Sequence, residues 1–208
     1  GSKRLEKFNP LLALSAGRQI LDLGLQGFKF DEPVYPKENT YEGLLILGSD
    51  APGIYERVLF SNELINRGTK FNSVYILTGQ RKLEEYEKKA FPYLTTDDEG
   101  QMALEILQKE ALPALQKNSV LIYSEPPEGS PRATTESTVE VFMDLSPKRG
   151  NYLCISDGIF IPYQELIVQN FLNKNYPNAG LTVQCVGPGV KDTFEAASDE
   201  EVLNKASL

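Results

Sequence analysis

The sequence predicts an α/β protein built on a three-layer, doubly wound, mainly parallel sheet of about five strands. Short, continuous apolar runs alternate along the chain with longer segments of helical periodicity, which is the pattern of right-handed βαβ crossovers. Small or polar residues follow each apolar run at once, as at the carboxyl ends of parallel strands. The predicted fold is therefore Rossmann-like, and at 208 residues one compact domain is expected.

The predicted domain spans residues 1–208, with a core over about 43–190, a lead-in over 1–42 and an acidic tail over 191–208. The run at 43–50 predicts a short, fully buried strand that ends in a tight turn, because uninterrupted apolarity suits a strand covered on both faces. A helical pattern follows, and Arg67-Gly68 supplies its stop.

The next strand is predicted at 73–79. The strongly charged segment at 81–89 predicts a short, exposed helix. Residues 95–99 are typical of a helix N-terminus and precede a third helical pattern.

The run at 119–124 predicts the third strand. The proline-rich loop at 126–131 continues neither a helix nor a strand, and it leads to Thr134-Thr135-Glu136 at the head of another helix.

The final predicted elements are a strand and its turn at 152–158, a helix at 163–172 and a fifth strand at 181–186. For the tail at 192–208, a last helix and a loosely held segment both stay open.

The composition excludes several classes of function. The 29 acidic and 21 basic residues give a formal net charge of −8, which repels a phosphate backbone, so nucleic acid is not expected as a partner. No apolar run reaches the roughly 18 residues that a membrane span needs, and no secretory signal is recognisable. A cytoplasmic protein is expected, although Gly1-Ser2 is typical of a protease scar and leaves the native N-terminus open.

The chain contains no histidine, so it cannot assemble a Ser-His-Asp or Cys-His nucleophile system, and no metal site is expected. Cys154 and Cys185 lie inside apolar runs. We therefore expect buried free thiols instead of a disulfide or a nucleophile.

Residues that directly follow the strands are the predicted ligand contacts, because open parallel sheets bind ligands beyond the carboxyl ends of their strands. A glycine there lets backbone N–H groups approach a polar or anionic ligand. The spacing matches neither the dinucleotide fingerprint nor the P-loop, so ordinary turn chemistry is the alternative. The strand-edge candidates are Gly48, Ser49, Asp50, Thr78, Gly79, Arg81, Glu125 and Ser156, and Arg57 and Tyr163 come from the helices that follow.

The most distinctive segment is 132–138, where hydroxyl groups and an acid gather at a predicted helix start. A capping box is one interpretation. The run of polar side chains exceeds what a cap needs, which favours a ligand role for Thr134, Thr135 and Ser137. The alternative interpretation of Arg57 and Arg81 is that they are solvated surface arginines. The alternative interpretation of Tyr163 is that it belongs to the first turn of an ordinary amphipathic helix.

Glu99 and Glu136, with Glu125, are the candidate catalytic groups, because a carboxylate partly desolvated in a cleft can serve as a general acid or base. Exposed carboxylates of ordinary pKa are the alternative interpretation.

Taken in order, these strand edges resemble the YdcF-like and SanA-like family of bacterial α/β domains over roughly residues 44–186. The family pattern appears here as Leu47-Gly48-Ser49, Arg57, Thr78-Gly79-Gln80, Glu99, Ala133-Thr134-Thr135-Glu136-Ser137 and Ile155-Ser156. Ala133 and Ser137 replace the family's two motif asparagines, and Phe160 and Tyr163 replace its histidine and arginine. The resemblance implies this fold, S-adenosylmethionine as a ligand or a role in the cell-envelope barrier, and an ancestral activity that is altered or lost.

Three functions follow from these observations. The leading one is a YdcF-like protein that binds a nucleotide-like or phosphorylated polar ligand between Gly48, Thr78, Glu99 and the helix start at 134–137. The second is a metal-independent transferase or hydrolase with a glutamate base. The third is a catalytically dead scaffold that engages a protein partner through its acidic surface.

Overall fold

The computed structural model of the chain describes residues 32–189. The chain divides into two compact units. The first, residues 34–188, contains the sheet. The second consists of residues 1–33 and 189–208, of which the description covers only 32, 33 and 189. The tail segment at 192–208, for which a helix was one prediction, lies outside the described residues.

Within residues 32–189, five parallel strands form one sheet in the order β3-β2-β1-β4-β5. The predicted doubly wound α/β fold is confirmed. Chain order reverses direction between β1 and β4, and this switch point is where open α/β sheets form their ligand crevice. The strands are β1 Thr40–Leu47, β2 Lys70–Gly79, β3 Ser119–Ser124, β4 Gly150–Ile155 and β5 Leu181–Val186.

The helices cover both faces of the sheet, because successive strand residues point to opposite sides. Leu44 and Ile46 of β1 pack into one core cluster, and Leu45 and Leu47 pack into the other. Helices α1, α3 and α4 contribute residues to the first cluster, and helices α5 and α6 contribute residues to the second. The described helices are α1 Ala51–Asn66, α2 Glu85–Ala90, α3 Glu99–Glu110, α4 Pro113–Gln116, α5 Thr135–Asp144 and α6 Ile161–Asn175, with a 3₁₀ turn at Gly158–Phe160.

Several local features differ from the predictions, and β2, like β1, begins three residues earlier than predicted, at Lys70. β1 begins at Thr40, three residues before the apolar run, because the parallel pairing with β2 extends to Thr40 and buries Tyr41. The single turn of α4 was not predicted. α2 is short, as expected, but Glu87 in its middle is 0% exposed, so the prediction of an exposed helix was wrong at that residue.

Cys154 and Cys185 face each other across β4 and β5 as free, buried thiols, as predicted. The hydrogen bond with Cys154 and burial raise the pKa of the Cys185 thiol far above its ordinary value. Both thiols are therefore packing residues in the second core cluster. In the described part of the chain, no helix is long and apolar enough to cross a membrane.

Candidate functional site

The turn after β1 packs closely against β2 and against the start of α3. A Cβ atom at Gly48 would lie 2.8 Å from the carbonyl oxygen of Leu77 in β2 and 2.8 Å from Oε1 of Glu99. Only a residue without a side chain fits there. Gly48 thus lets the Glu99 carboxylate, at the first position of α3, reach the carboxyl ends of β1 and β2.

The centre of this region is the Arg81 cluster, which we define as Arg81, Glu87 and Glu99. The Arg81 side chain follows β2 and is 14% exposed, whereas the side chains of Glu87 and Glu99 are 0% and 10% exposed. Nη1 and Nη2 of Arg81 donate to the two oxygens of Glu87 at 2.7 and 2.8 Å. Nε of Arg81 lies 2.6 Å from Oε2 of Glu99. One guanidinium therefore joins two buried carboxylates from two different helices.

Two backbone N–H groups also donate hydrogen bonds to the Glu87 carboxylate. Its Oε1 accepts from the backbone N–H of Ala51 at 2.9 Å, and its Oε2 accepts from that of Glu84 at 2.7 Å. Burial by itself pushes the pKa of Glu87 upward, but the hydrogen bonds from Arg81 and from the two backbone groups outweigh it and lower the pKa. Glu87 is ionised and fixed in place.

Glu99 differs from Glu87 in its electrostatic environment. Burial is the largest influence and raises the pKa of Glu99, against the opposing attraction of Arg81. The backbone N–H of Gly79 lies 3.5 Å from Oε1 of Glu99, a marginal hydrogen bond. Glu99 is the carboxylate of the cluster whose properties are closest to those of a general base.

A second ion pair, which we call the Arg57 pair, connects the carboxyl ends of β1 and β4 at the switch point. Nη2 and Nε of Arg57 lie 2.9 and 3.2 Å from the two oxygens of Asp157, in the turn after β4. Nη1 of Arg57 donates to the carbonyl oxygens of Leu47 and Gly48 at 2.5 and 2.9 Å. Arg57 is 4% exposed, so the alternative of a solvated surface arginine is wrong.

Asp50 caps α1 and also contacts the neighbouring helix α2. Its Oδ1 accepts from the backbone N–H of Gly53 at 3.0 Å, and its Oδ2 accepts from the hydroxyl of Tyr86 at 2.9 Å. Burial and the adjacent Asp50 carboxylate raise the pKa of Tyr86. The Ser49 hydroxyl lies 3.4 Å from Oδ1 of Asp50. The predicted Gly48-Ser49-Asp50 turn is thus tied to the Arg81 cluster through α2.

The hydroxyl groups of the segment at 134–137 form a capping box at the start of α5. The Thr134 hydroxyl accepts from the Ser137 N–H at 3.1 Å, and the Ser137 hydroxyl accepts from the Thr134 N–H at 2.9 Å. Ser124, at the end of β3, donates to Ser137 at 3.0 Å. The Thr135 hydroxyl donates to Gln164 of α6 at 3.0 Å. Each of these groups is engaged within the protein.

The remaining candidates are scattered. The buried Thr78 hydroxyl donates to the carbonyl oxygen of Ile122 at 3.2 Å. Glu125 and Glu136 are exposed, and Tyr163 is 59% exposed on α6. The structure therefore does not bring these three side chains into the buried clusters around Arg57 and Arg81.

Ser156 stands apart from the other hydroxyl groups of the site. It follows β4 directly, is 1% exposed, and its Oγ has no hydrogen-bond partner in the described part of the chain. A buried, unpaired hydroxyl costs about 1–3 kcal/mol. It lies one residue before Asp157 of the Arg57 pair.

Sequence reasoning missed two participants, Glu87 and Tyr86, and it located Asp157 only as part of the predicted turn after the fourth strand. Asp157 is the second residue after the fourth apolar run, and that position was the available signal. Glu87 and Tyr86 lie in a segment whose charge pattern predicts an exposed helix, and nothing local distinguishes them from their neighbours.

The charges that meet at these strand ends are unbalanced. Asp50, Glu87, Glu99 and Asp157 supply four carboxylates, whereas Arg57 and Arg81 supply two guanidiniums. Both arginines already contact carboxylates. The described residues contain no group of three or more acidic, cysteine or histidine side chains that could hold a metal ion.

The fold and these clusters define a parallel, Rossmann-like α/β protein with buried ion pairs at the carboxyl ends of β1, β2 and β4. Comparisons of the chain with protein-family models, with curated proteins and with solved structures give no match.

Proposed function

We propose that this chain is a YdcF-like small-molecule-binding protein that holds a polar, nucleoside-like ligand over the carboxyl ends of β1, β2 and β4. The observation that supports it is the buried charge of the Arg81 cluster. Well-packed apolar side chains often stabilise a protein as well as, or better than, a buried ion pair. Charged groups retained at a ligand crevice therefore favour a functional role.

The balance of charge at these strand ends restricts the chemical class of ligand that we propose. With four carboxylates against two guanidiniums, and with both guanidiniums paired, this edge favours neutral or cationic ligands and disfavours phosphorylated ones. Carboxylate oxygens accept hydrogen bonds from ribose hydroxyls or an amino group. S-adenosylmethionine, which the family resemblance implies, carries a positively charged sulfonium and fits this preference.

A further observation supports a ligand at this position. The Ser156 hydroxyl is buried and unpaired beside the Arg57 pair, and a ligand group could satisfy it. A bacterial source and a cytoplasmic location belong to the same proposal.

Catalysis by Glu99 is the second candidate function, and burial of its carboxylate favours it. A general base works best when its pKa is raised toward the working pH, and burial raises the pKa of Glu99. The reaction class would be metal-independent transfer or hydrolysis.

The test is a thermal-shift screen of the full 208-residue chain against S-adenosylmethionine, S-adenosylhomocysteine, adenosine, ATP and sugar phosphates. A ligand at about 100 times its Kd adds roughly 2.7 kcal/mol of stability, which raises Tm by several degrees. We expect the cationic or neutral nucleosides to give the larger shifts. Glu99→Gln should abolish the shift, while the matched control Glu140→Gln, exposed on α5, should keep it.

Stabilisation by the phosphorylated compounds alone would contradict the charge argument. If no compound in the panel raises Tm, the result would favour the scaffold hypothesis over ligand binding. Turnover of a hit that is lost in Glu99→Gln, with binding retained, would support the catalytic candidate.

A further inference from the structure

Within residues 32–189, one edge of the sheet has no backbone partner. β3 is the terminal strand of the sheet, and it pairs with β2 on one side. The carbonyl oxygens of Asn118 and Ser124 accept from Val74 and Gln80 on the β2 side. Because the ladder groups alternate in direction along a strand, the N–H and C=O groups of residues 119, 121 and 123 point outward.

Within residues 32–189, no backbone hydrogen bond reaches those outward groups of β3. The opposite edge of the sheet is different. Along β5, the N–H of Val183 donates to Gln169 of α6 at 2.9 Å, and the N–H of Cys185 donates to Glu165 at 2.8 Å. Side chains that occupy edge donors in this way prevent pairing with another chain. The fold protects β5 and leaves β3 ready to pair.

β3 also exposes apolar surface. Val120 is 42% exposed and Tyr123 is 38% exposed. The Tyr123 ring lies against the start of α3, where a Cβ atom at Gly100 would be 2.7 Å from its Cδ2, and its hydroxyl donates to Asp98. The ring is thus held in place beside the open edge.

The sequence around β3 is complementary to itself in the antiparallel direction. Lys117 stands four residues before Leu121, and Glu125 stands four residues after it. Both are exposed. Lys117 caps the C-terminus of α4 two residues before β3, and Glu125 directly follows β3. If two copies met with a two-fold axis at Leu121, the Lys117 end of each β3 would lie beside the Glu125 end of the other, which brings opposite charges together at both ends of the pairing.

We propose that β3 pairs antiparallel with β3 of a second copy of this chain, about a two-fold axis at Leu121. In this register residue 119 faces 123 and residue 121 faces its own equivalent, so every pair joins outward-pointing groups and exchanges two hydrogen bonds. The two sheets become continuous. The interface is isologous, as in most homodimers, and the Lys117–Glu125 contacts occur twice.

Sedimentation velocity of the full chain, from about 1 μM to about 1 mM, tests the pairing, because small interfaces form weak complexes. We expect reversible dimerisation. Lys117→Glu and Glu125→Lys each bring like charges together at both ends of the paired strands. Each should raise the dimer dissociation constant roughly ten- to thirtyfold at low salt.

The double variant Lys117→Glu/Glu125→Lys restores opposite charges and should dimerise like the wild type. Lys174→Glu, an exposed lysine at the end of α6, is the matched charge control and should leave dimerisation unchanged. Circular dichroism confirms that each variant is folded. A chain that stays monomeric to about 1 mM, or a dimer that both single reversals leave intact, or a double variant no better than the singles, overturns the proposal.

Discussion

Replacing Glu87 by glutamine tests whether the Arg81 cluster is organised as the geometry indicates. Oε1 of Glu87 accepts from Arg81 and from the Ala51 N–H, and Oε2 accepts from Arg81 and from the Glu84 N–H. Whichever oxygen the amide nitrogen replaces, its hydrogens face two donors. The side chain is 0% exposed, so water cannot relieve the conflict.

The expected loss is large for a substitution that changes one atom. Breaking a buried ion pair by removing one charge costs about 3–5 kcal/mol, because the other charge stays buried and partly unpaired. Contact with Glu99 remains available to Arg81, so we expect the lower end of this range. For a unit of this size the melting temperature should fall by roughly 10 °C.

The measurement is urea and thermal unfolding at pH 7, followed by circular dichroism. Glu85→Gln, at the exposed first position of α2, is the control and should change stability little. A loss below about 1 kcal/mol for Glu87→Gln would refute the assignment of Glu87 as the anchor of a buried pair.

A pH series provides a second readout. The folded state lowers the pKa of Glu87 below its ordinary value of 4.5. The stabilisation is therefore complete above the unfolded pKa and is lost as the pH falls through the folded one. The difference in stability between the wild type and Glu87→Gln should shrink below about pH 4.5, and a difference that grows on acidification would contradict this reasoning.

Three further outcomes are expected. Thr134→Ala removes the capping box of α5 and should cost about 1 kcal/mol in urea unfolding, whereas Thr134→Ser should retain most of the stability; equal losses would argue against the cap. Because burial raises the pKa of Glu99, the wild type loses stability as the pH rises from about 4.5 through the folded pKa. Glu99→Gln should therefore gain relative to the wild type over that window, and a relative loss would show that the Arg81 pair outweighs burial. Cys154 and Cys185, which are 0% and 1% exposed, should react with a thiol reagent only on unfolding, and labelling of the native protein would contradict their burial.

Much of the fold could be predicted because apolar periodicity is a local property of the chain. The third and fifth strands were predicted with their observed bounds, 119–124 and 181–186. The start of β1 was not, because Thr40 and Glu42 interrupt the apolar pattern and pairing with β2 extends the strand. The predicted alternation of strands and helices located the carboxyl ends of the strands, and the candidate residues were chosen because they follow those ends.

The partners within the site depend on contacts between distant parts of the chain. Arg57 and Asp157 lie 100 positions apart, and they meet because the sheet order places β4 beside β1. The same holds for Glu87, whose charged surroundings indicate a solvent-exposed helix until Arg81 and two backbone N–H groups enclose it.

The sequence by itself determined the class of fold, the order of its five strands and the absence of histidine side chains from the chain. The tertiary structure alone decided which charges are buried, which arginine pairs with which carboxylate and which edge of the sheet lacks a backbone partner within residues 32–189. The physical reason is that strand and helix formation follows the pattern of neighbouring residues, whereas burial and ion pairing depend on which strands become neighbours in the sheet.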